Sequence, residues 1–339
     1  MTADRIVSDP IAASRAVIAI GGNALILDGQ RGTIAEQYDN GVEMARHIAT
    51  LVAGGWGIVL THGNGPQVGF ILLRSELVGD SAPVPHLSLE MSSADSQGGI
   101  GHILSMALLN ELAARGLDDR VAYVLTHTVV DPADVAFANP TKPIGPFYTA
   151  GQAATRKRRS GWQMIEDSGR GYRRVVPSPK PLRIVESDQI RTLVDAGHVV
   201  IAVGGGGIPV VETAGGYKGI EAVIDKDRAS ALLAASLGVP LLVLSTGVEQ
   251  VAWHFRQPDQ RLLASMTSAE ALRYLEEGEF PKGSMGPKIE AAVDFLAGGG
   301  REVLITTPAA LERAIAGETG TRIVAAPLPA APLPAAIPT

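Results

Sequence analysis

None of the 339 residues is a cysteine, so disulfide bonds, thiolate catalysis and cysteine-based metal sites are all excluded. No apolar run approaches the roughly 20 residues that a membrane helix requires. The first residues carry Asp4 and Asp9 with no long apolar region before Val17, which is unlike a secretion signal and makes a cytoplasmic setting the expectation. Positive charge is not in excess either. The net charge is −6 and the isoelectric point near 5.7, which argues against nucleic acid as a partner of the surface as a whole. GxxxxGKS/T does not occur, and the Gly21-Gly22-Asn23-Ala24 turn is not followed by GxGxxG spacing, so phosphate chemistry here needs another fold. There is no HExxH and no Ser/His/Asp order, and no residue is assigned as a metal ligand.

Hydrophobic residues make up 46% of the chain, enough for a core in one large domain or two smaller ones. Apolar, β-branched runs predict strands over Ala16–Ile20, Gly57–Leu60, Val121–Leu125, Val199–Val203, Pro240–Leu244, Val303–Thr306 and Arg322–Val324. Helical spacing predicts helices over Ile34–Ala53, from Ser93 through Leu112, near Asp188–Ala196 and over Ile289–Leu296. Such alternation implies a mainly parallel sheet. Between them, about Thr126 to Arg183 is crowded with Pro, Gly and aromatics and reads as a long irregular segment, a lid or small subdomain. From Gly151 to Arg183 there are nine Lys/Arg against two Asp/Glu, an asymmetry that suggests an anionic ligand, although Arg156–Arg159 suits a solvated helix face.

The stretch that organises the rest is Asp225-Lys226-Asp227, a lysine between two carboxylates where a strand-like run gives way to helical spacing. Asp227 suits a helix N-cap, and the carboxyl end of a strand is where open α/β sheets keep their sites. Glycine-rich loops follow other strands: Gly21-Gly22-Asn23, Gly63-Asn64-Gly65, and the run Gly204–Gly207, which turn geometry alone explains poorly and close backbone contact with phosphate explains better. Another lies at Gly283–Pro287 beside Lys288, a cation at a helix start, where the dipole disfavours it unless an anion is its partner. His62 reads more readily as a hydrogen-bonding strut in its loop than as a catalytic base. Backbone donors and isolated lysines with few acid/base groups suit phosphoryl transfer to an acceptor that is already an anion.

The segments GGNA at Gly21, HGNGPQVG at His62, PTKPIGPFY at Pro140, RRVVPSPKP at Arg173, GGGGIPV at Gly204, EAVIDKD at Glu221 and GSMGPK at Gly283 resemble those of carbamate kinases. The resemblance spans about Ala16 to Val324, with departures at Gly99, His102, Val135 and Gly247. It implies the amino-acid kinase fold: an α/β three-layer α/β/α sandwich with a mainly parallel open sheet and a protruding lid subdomain. The implied organisation is one domain over 16–324, with an acceptor lobe at 16–203, a lid at about 130–183 and a nucleotide lobe at 204–324; 1–15 and the Pro/Ala tail at 325–339 are expected to be disordered. The implied reaction is reversible phosphoryl transfer from ATP to carbamate with Mg²⁺, giving ADP and carbamoyl phosphate. It is expected to run toward ATP in a cytoplasmic homodimer of arginine metabolism.

Carried over residue by residue, the resemblance makes Lys142, Lys226 and Lys288 the cations on the moving phosphoryl group and Asp227 their organiser. Gly21, Gly22, Asn23, Gly63, Asn64 and Gly65 would line the acceptor site, and Gly205, Gly206, Ser245, Thr246, Gly247, Val248, Met285, Gly286 and Pro287 would border ATP or ADP. Two alternatives remain at this level. Another acyl-phosphate-forming amino-acid kinase would need a partner for an α-amino group, and a catalytically silent nucleotide sensor would be expected to have lost one of the four charged residues.

Overall fold

The computed structural model describes residues 14–21, 24–27, 29–78, 84–118, 120–167, 169–281 and 283–325. Most of the expected leader and tail, and the site candidates Gly22 and Asn23, lie outside the described residues.

The central sheet has eight strands: β1 (Arg15–Ile20), β2 (Gly57–His62), β3 (Val121–Tyr123), β9 (Val199–Ile201), β12 (Leu241–Ser245), β15 (Ser265–Thr267), β16 (Glu302–Thr306) and β17 (Thr321–Val324). Their order is β15-β17-β16-β12-β1-β2-β9-β3. From β3 to β16 every pairing is parallel, and β17 turns antiparallel to β16. Because β12 pairs directly with β1, the lobes expected from the sequence share one continuous sheet.

The strands are apolar without alternation because both faces are covered, as parallel sheets require. Ala16, Ile18 and Ile20 face α1 (Ile34–Ala53), α3 (Leu89–Ala114) and α9 (Leu311–Ile315), packing with Ile48, Leu104 and Leu108. Val17 and Ala19 face the opposite layer, built from α5 (Ser187–Asp195), α6 (Lys226–Leu237), α7 (Ser268–Glu276) and α8 (Met285–Ala297), whose core includes Leu233, Ile289 and Phe295. Each fully buried aliphatic side chain contributes on the order of 1.5–3 kcal/mol. Among the described residues no helix is long and apolar enough to cross a membrane.

Local chemistry sets the helix starts. Thr33 and Glu36 form a capping box at α1, and Ser88 caps α3, placing its start at Leu89, ahead of the expected Ser93. The segment expected to be irregular is largely ordered. β4 (His127–Val130) and β8 (Pro181–Ile184) join β10 (Ile208–Thr213) and β11 (Gly216–Gly219) in a second sheet. The protruding part is a three-stranded sheet of β5 (Lys142–Tyr148), β7 (Tyr172–Val176) and β6 (Met164–Glu166), with α4 (Ala150–Ser160) alongside. Pro143, Gly145 and Pro146 disguise β5 in the sequence; they are tolerated because β5 is an edge strand whose register shifts past Ile144. A small β13 (Val251–Trp253) and β14 (Arg261–Leu263) hairpin completes the fold.

The protruding sheet rests on α2 (Gly65–Val78), where two backbones nearly touch: a Cβ on Gly69 would stand 2.0 Å from Gly145 Cα. Arg174 pairs with Glu76 of α2 at 2.7 Å. Gly69→Ala is therefore expected to destabilise the protein by about 1–3 kcal/mol, because neither backbone can yield. Gly98→Ala, where a Cβ meets nothing within 4 Å, is expected to be neutral or stabilising. Urea unfolding of both variants checks the pair, and similar midpoints would contradict the Gly69–Gly145 constraint.

His62, at the end of β2, is 1% exposed. Its Nδ1 lies 3.1 Å from the Gly63 carbonyl oxygen, which can only accept, so Nδ1 carries the proton and Nε2 is left buried without a partner among the described residues. Burial, reinforced by the charge of Lys226 and opposed by the Gly63 bond, pushes its pKa down to about 4. His62 is thus a neutral strut. Between that value and the ordinary 6.5 the unfolded chain binds a proton that the folded chain refuses, so stability is full above pH 6.5 and is lost as pH falls toward 4. The wild type is expected to lose about 2 kcal/mol between about pH 7.5 and pH 5, and His62→Gln to show a much flatter profile. Identical pH profiles of urea midpoints would refute the assignment.

Candidate active site

The carboxyl ends of the central strands open into a cavity of about 370 Å³. Gly21 follows β1 there, Gly63 follows β2, Ser245 ends β12 and Pro308 follows β16. The first turns of α2, α6 and α8 reach the same space through Gly65, Lys226 and Lys288. Three helix N-termini at one cavity favour an anion, because their free N–H groups carry partial positive charge. α6 is fixed under the sheet by Ser230, whose hydroxyl lies 2.6 Å from Thr61 of β2.

The charged triplet differs in one respect from its sequence reading. Asp225 is the N-cap of α6, and its Oδ1 accepts from the backbone N–H of Asp227 at 2.9 Å and of Arg228 at 3.3 Å. Asp227 falls within the first turn, which frees its carboxylate for side chains. Lys226 Nζ donates to Asp227 Oδ1 at 2.5 Å and Lys288 Nζ to Asp227 Oδ2 at 3.1 Å. The anion that Lys288 needs at its helix start is therefore Asp227. Lys142, from β5, donates to Asp225 Oδ2 at 2.5 Å.

Burial disfavours charge on each of these groups, and their neighbours decide the outcome. Burial would raise the carboxyl pKa of Asp225, but Lys142, Lys288 and Lys226 outweigh it and hold it well below the ordinary range. Asp227 is likewise lowered, Lys226 and Lys288 overcoming its burial. For Lys288 burial is overcome by Asp227 and Asp225, and its pKa is raised. Lys226 is lowered: its burial outweighs Asp227, and the charge of Lys288 works against it as well. Three cations share two carboxylates, and of the two lysines on Asp227 it is Lys226 that is less well compensated.

Most of the remaining candidates fall on this cavity. Gly21, Gly63, Asn64, Gly65, Gly205, Ser245, Thr246, Gly247 and Pro287 line it, whereas Gly206, Val248, Met285 and Gly286 lie outside the described wall. The Gly204–Gly207 run has a packing cause that the sequence did not show. A Cβ would meet His62 Nε2 at 2.5 Å on Gly204, Asn64 at 2.2 Å on Gly205, Ile224 at 2.7 Å on Gly206 and Thr128 at 2.0 Å on Gly207. The last three also have positive φ, so close packing and backbone conformation require these glycines, and of the run Gly205 reaches the wall. Gly286 similarly serves the loop, its N–H bonding the Pro281 carbonyl at 3.0 Å.

Three charged wall residues were given no role from the sequence: Asp167, Arg170 and Arg173, from the β6–β7 connection and the start of β7. Arg173 donates through Nε to the Gly145 carbonyl at 3.1 Å and through Nη1 to Asp167 at 3.4 Å, while its Nη2 is buried without a hydrogen-bond partner among the described residues. The clue was the local positive excess, but the obvious run is elsewhere: Lys157, Arg158 and Arg159 are exposed at the end of α4, and Arg156 stacks on Tyr148 and Trp162. Ser245, also on the wall, has its Oγ buried with no hydrogen-bond partner among the described residues. Among the described residues no three His, Asp or Glu are grouped so as to hold a metal ion.

Comparison with known proteins gives a consistent result. The model of the amino acid kinase family matches residues 14–307. A carbamate kinase of Thermococcus kodakarensis is 45% identical, the match covering 91% of this chain and 99% of that one. A carbamate kinase-like protein of Escherichia coli is 48% identical over 91% of this chain and 98% of its own length. Among solved structures, carbamate kinase from Giardia lamblia bound to citric acid superposes with a TM-score of 0.88 at 39% identity, covering 93% of this chain and 99% of that one. The same enzyme bound to AMP-PNP gives 0.83 at 40% identity, over 93% and 99%. The chain belongs to the amino acid kinase family and, within it, to the carbamate kinase group.

Proposed function

We propose that this chain catalyses reversible phosphoryl transfer between ATP and carbamate, working in the direction that makes ATP from ADP and carbamoyl phosphate. The observation that carries the reading is the meeting of Lys142, Lys226 and Lys288 around Asp225 and Asp227 in one cavity. In the ATP-forming direction a terminal oxygen of ADP attacks phosphorus, the bond from phosphorus to the carbamate oxygen breaks, and carbamate leaves as an anion. No proton is taken or given, which suits a wall without histidine among its described residues. The lysines stabilise charge spread over the moving phosphoryl oxygens, and Asp227 fixes Lys226 and Lys288 before the substrates arrive.

The nucleotide is assigned to Ser245–Gly247 and Pro287, which line the cavity; the Giardia lamblia enzyme bound to AMP-PNP supports nucleotide binding as such. Arg173, close to Gly65 with a free Nη2, suits the acceptor side. Asp225 and Asp227 are both committed to lysines, so a Mg²⁺ ion would enter on the nucleotide phosphates, with Ser245 Oγ as the unpartnered protein oxygen able to face it. Bound there, the ion would offset phosphate charge. A silent sensor is disfavoured because all four charged residues are present and assembled. A homodimer and a cytoplasmic setting within arginine metabolism are proposed on the family resemblance alone.

Purified protein is expected to form ATP from ADP and carbamoyl phosphate in a Mg²⁺-dependent way. Activity only with acetylglutamate or aspartate as acceptors for ATP would overturn the assignment. Lys226→Met and Lys288→Met should each lower kcat by about a hundredfold or more, on the order of 3 kcal/mol, with smaller changes in nucleotide KM. A large KM effect at constant kcat would place the lysines in ground-state binding instead.

The protruding sheet is proposed to close over the loaded site, excluding water from a labile acyl phosphate. ADP with carbamoyl phosphate should then slow tryptic cleavage at Lys157–Arg159, and Lys142→Ala should lower kcat by about a hundredfold or more, leaving a measurable residue, with nucleotide affinity within about threefold. Equal cleavage with and without ligands, together with a fully active Lys142→Ala protein, would make the element a static platform.

A further inference from the structure

Asp225 has two oxygens with two separate tasks. Oδ1 accepts the N–H groups of Asp227 and Arg228, which ties the carboxylate to the first turn of α6, and Oδ2 accepts Lys142 Nζ at 2.5 Å. Because the backbone of α6 orients the first oxygen, the direction of the second is fixed as well. Lys142 arrives on the edge strand of a different sheet, 83 residues away in sequence. Asp227 is occupied by Lys226 and Lys288. An ammonium group has three donors, so one bond to Asp225 leaves two for a ligand in the cavity that Lys142 lines.

We propose that Asp225 is a positioning residue for the phosphoryl transfer, aiming Lys142 at the moving group by coupling it to the start of α6. The inference rests on the activity proposed above. A helix cap alone would need only Oδ1, and asparagine serves a cap about as well as aspartate. Asparagine that caps through its oxygen turns an amide donor toward Lys142, which supplies no acceptor there. Asp225→Asn therefore separates the two tasks.

In the ATP-forming assay Asp225→Asn is expected to lower kcat by about tenfold to a hundredfold, with nucleotide KM within about threefold and thermal midpoint within a few degrees of wild type. In a Lys142→Met background the same substitution should change kcat by less than about threefold, since the group it acts through is gone. Equal losses in both backgrounds, or an unchanged kcat in the wild-type background, overturn the proposal. Asp225→Ser, which also caps without charge, serves if the asparagine variant folds poorly. A second arm needs no turnover: in the substrate-free protein, acylation of the Lys142 amine, followed by peptide mass spectrometry, should speed up severalfold in Asp225→Asn. Unchanged labelling shows that the pair does not hold Lys142 and sinks the proposal. Faster labelling in a protein whose wild type makes no ATP from carbamoyl phosphate refutes the proposed activity and, with it, a role in that transfer, while leaving the pairing itself intact.

Discussion

Two aspartates at the start of one helix hold three lysines that arrive from three different elements, and much of the molecule serves to make that arrangement possible. Lys226 comes with the helix itself, Lys288 from the first turn of α8, and Lys142 from the edge of the protruding sheet. Such a cluster is poor evidence for stability, because taking charges out of water costs several kcal/mol per ion even when they are paired. Its composition points to function: cations outnumber anions, and Lys226 is held at a lowered pKa. An anion entering the cavity supplies what the cluster lacks. The buried, unpartnered Arg173 Nη2 and Ser245 Oγ belong to the same deficit, since buried polar groups are normally satisfied and an exception calls for a reason.

The remaining structure can be understood as support at close range. The parallel strands bury both faces and so hold their carboxyl ends rigidly at one edge. Around that edge the glycines act mostly as spacers: Gly204–Gly207 let His62, Asn64, Ile224 and Thr128 approach the backbone, and the Gly69–Gly145 contact seats the protruding sheet on α2. A neutral His62 fits this role, since a protonated imidazole beside Lys226 would add a charge the cluster could not compensate.

Much of the fold was legible because parallel strands announce themselves as continuous apolar runs, and the helices between them by period; α1 has the same limits in structure as in sequence. β5 was hidden by Pro143 and Pro146, whose place on an edge strand no local pattern reveals. The lysines and Asp227 were recognisable from charge placed against context, as with Lys288 at a helix start. Asp225 and Arg173 were not, because Asp225 pairs with a lysine 83 residues away and Arg173 reaches the cavity only through the folding of the protruding sheet. The glycine run carries a requirement the sequence did not show: glycines needed for packing and for positive φ look, in sequence, the same as glycines that cradle phosphate.

The charge balance also bears on direction. Transfer between a carbamate oxygen and a nucleotide phosphate oxygen moves a phosphoryl group from one anionic oxygen to another, and no proton need enter or leave the cavity. The lysines therefore face nearly the same total charge before and after the step. A site of this kind gains little by preferring one ground state, and its electrostatic advantage is concentrated where the charge is most spread out, in the transition state. In the proposed transfer the cluster would speed both directions alike, so net flux would follow the concentrations of the substrates and the intrinsic lability of an acyl phosphate, which favours its use as a donor to ADP.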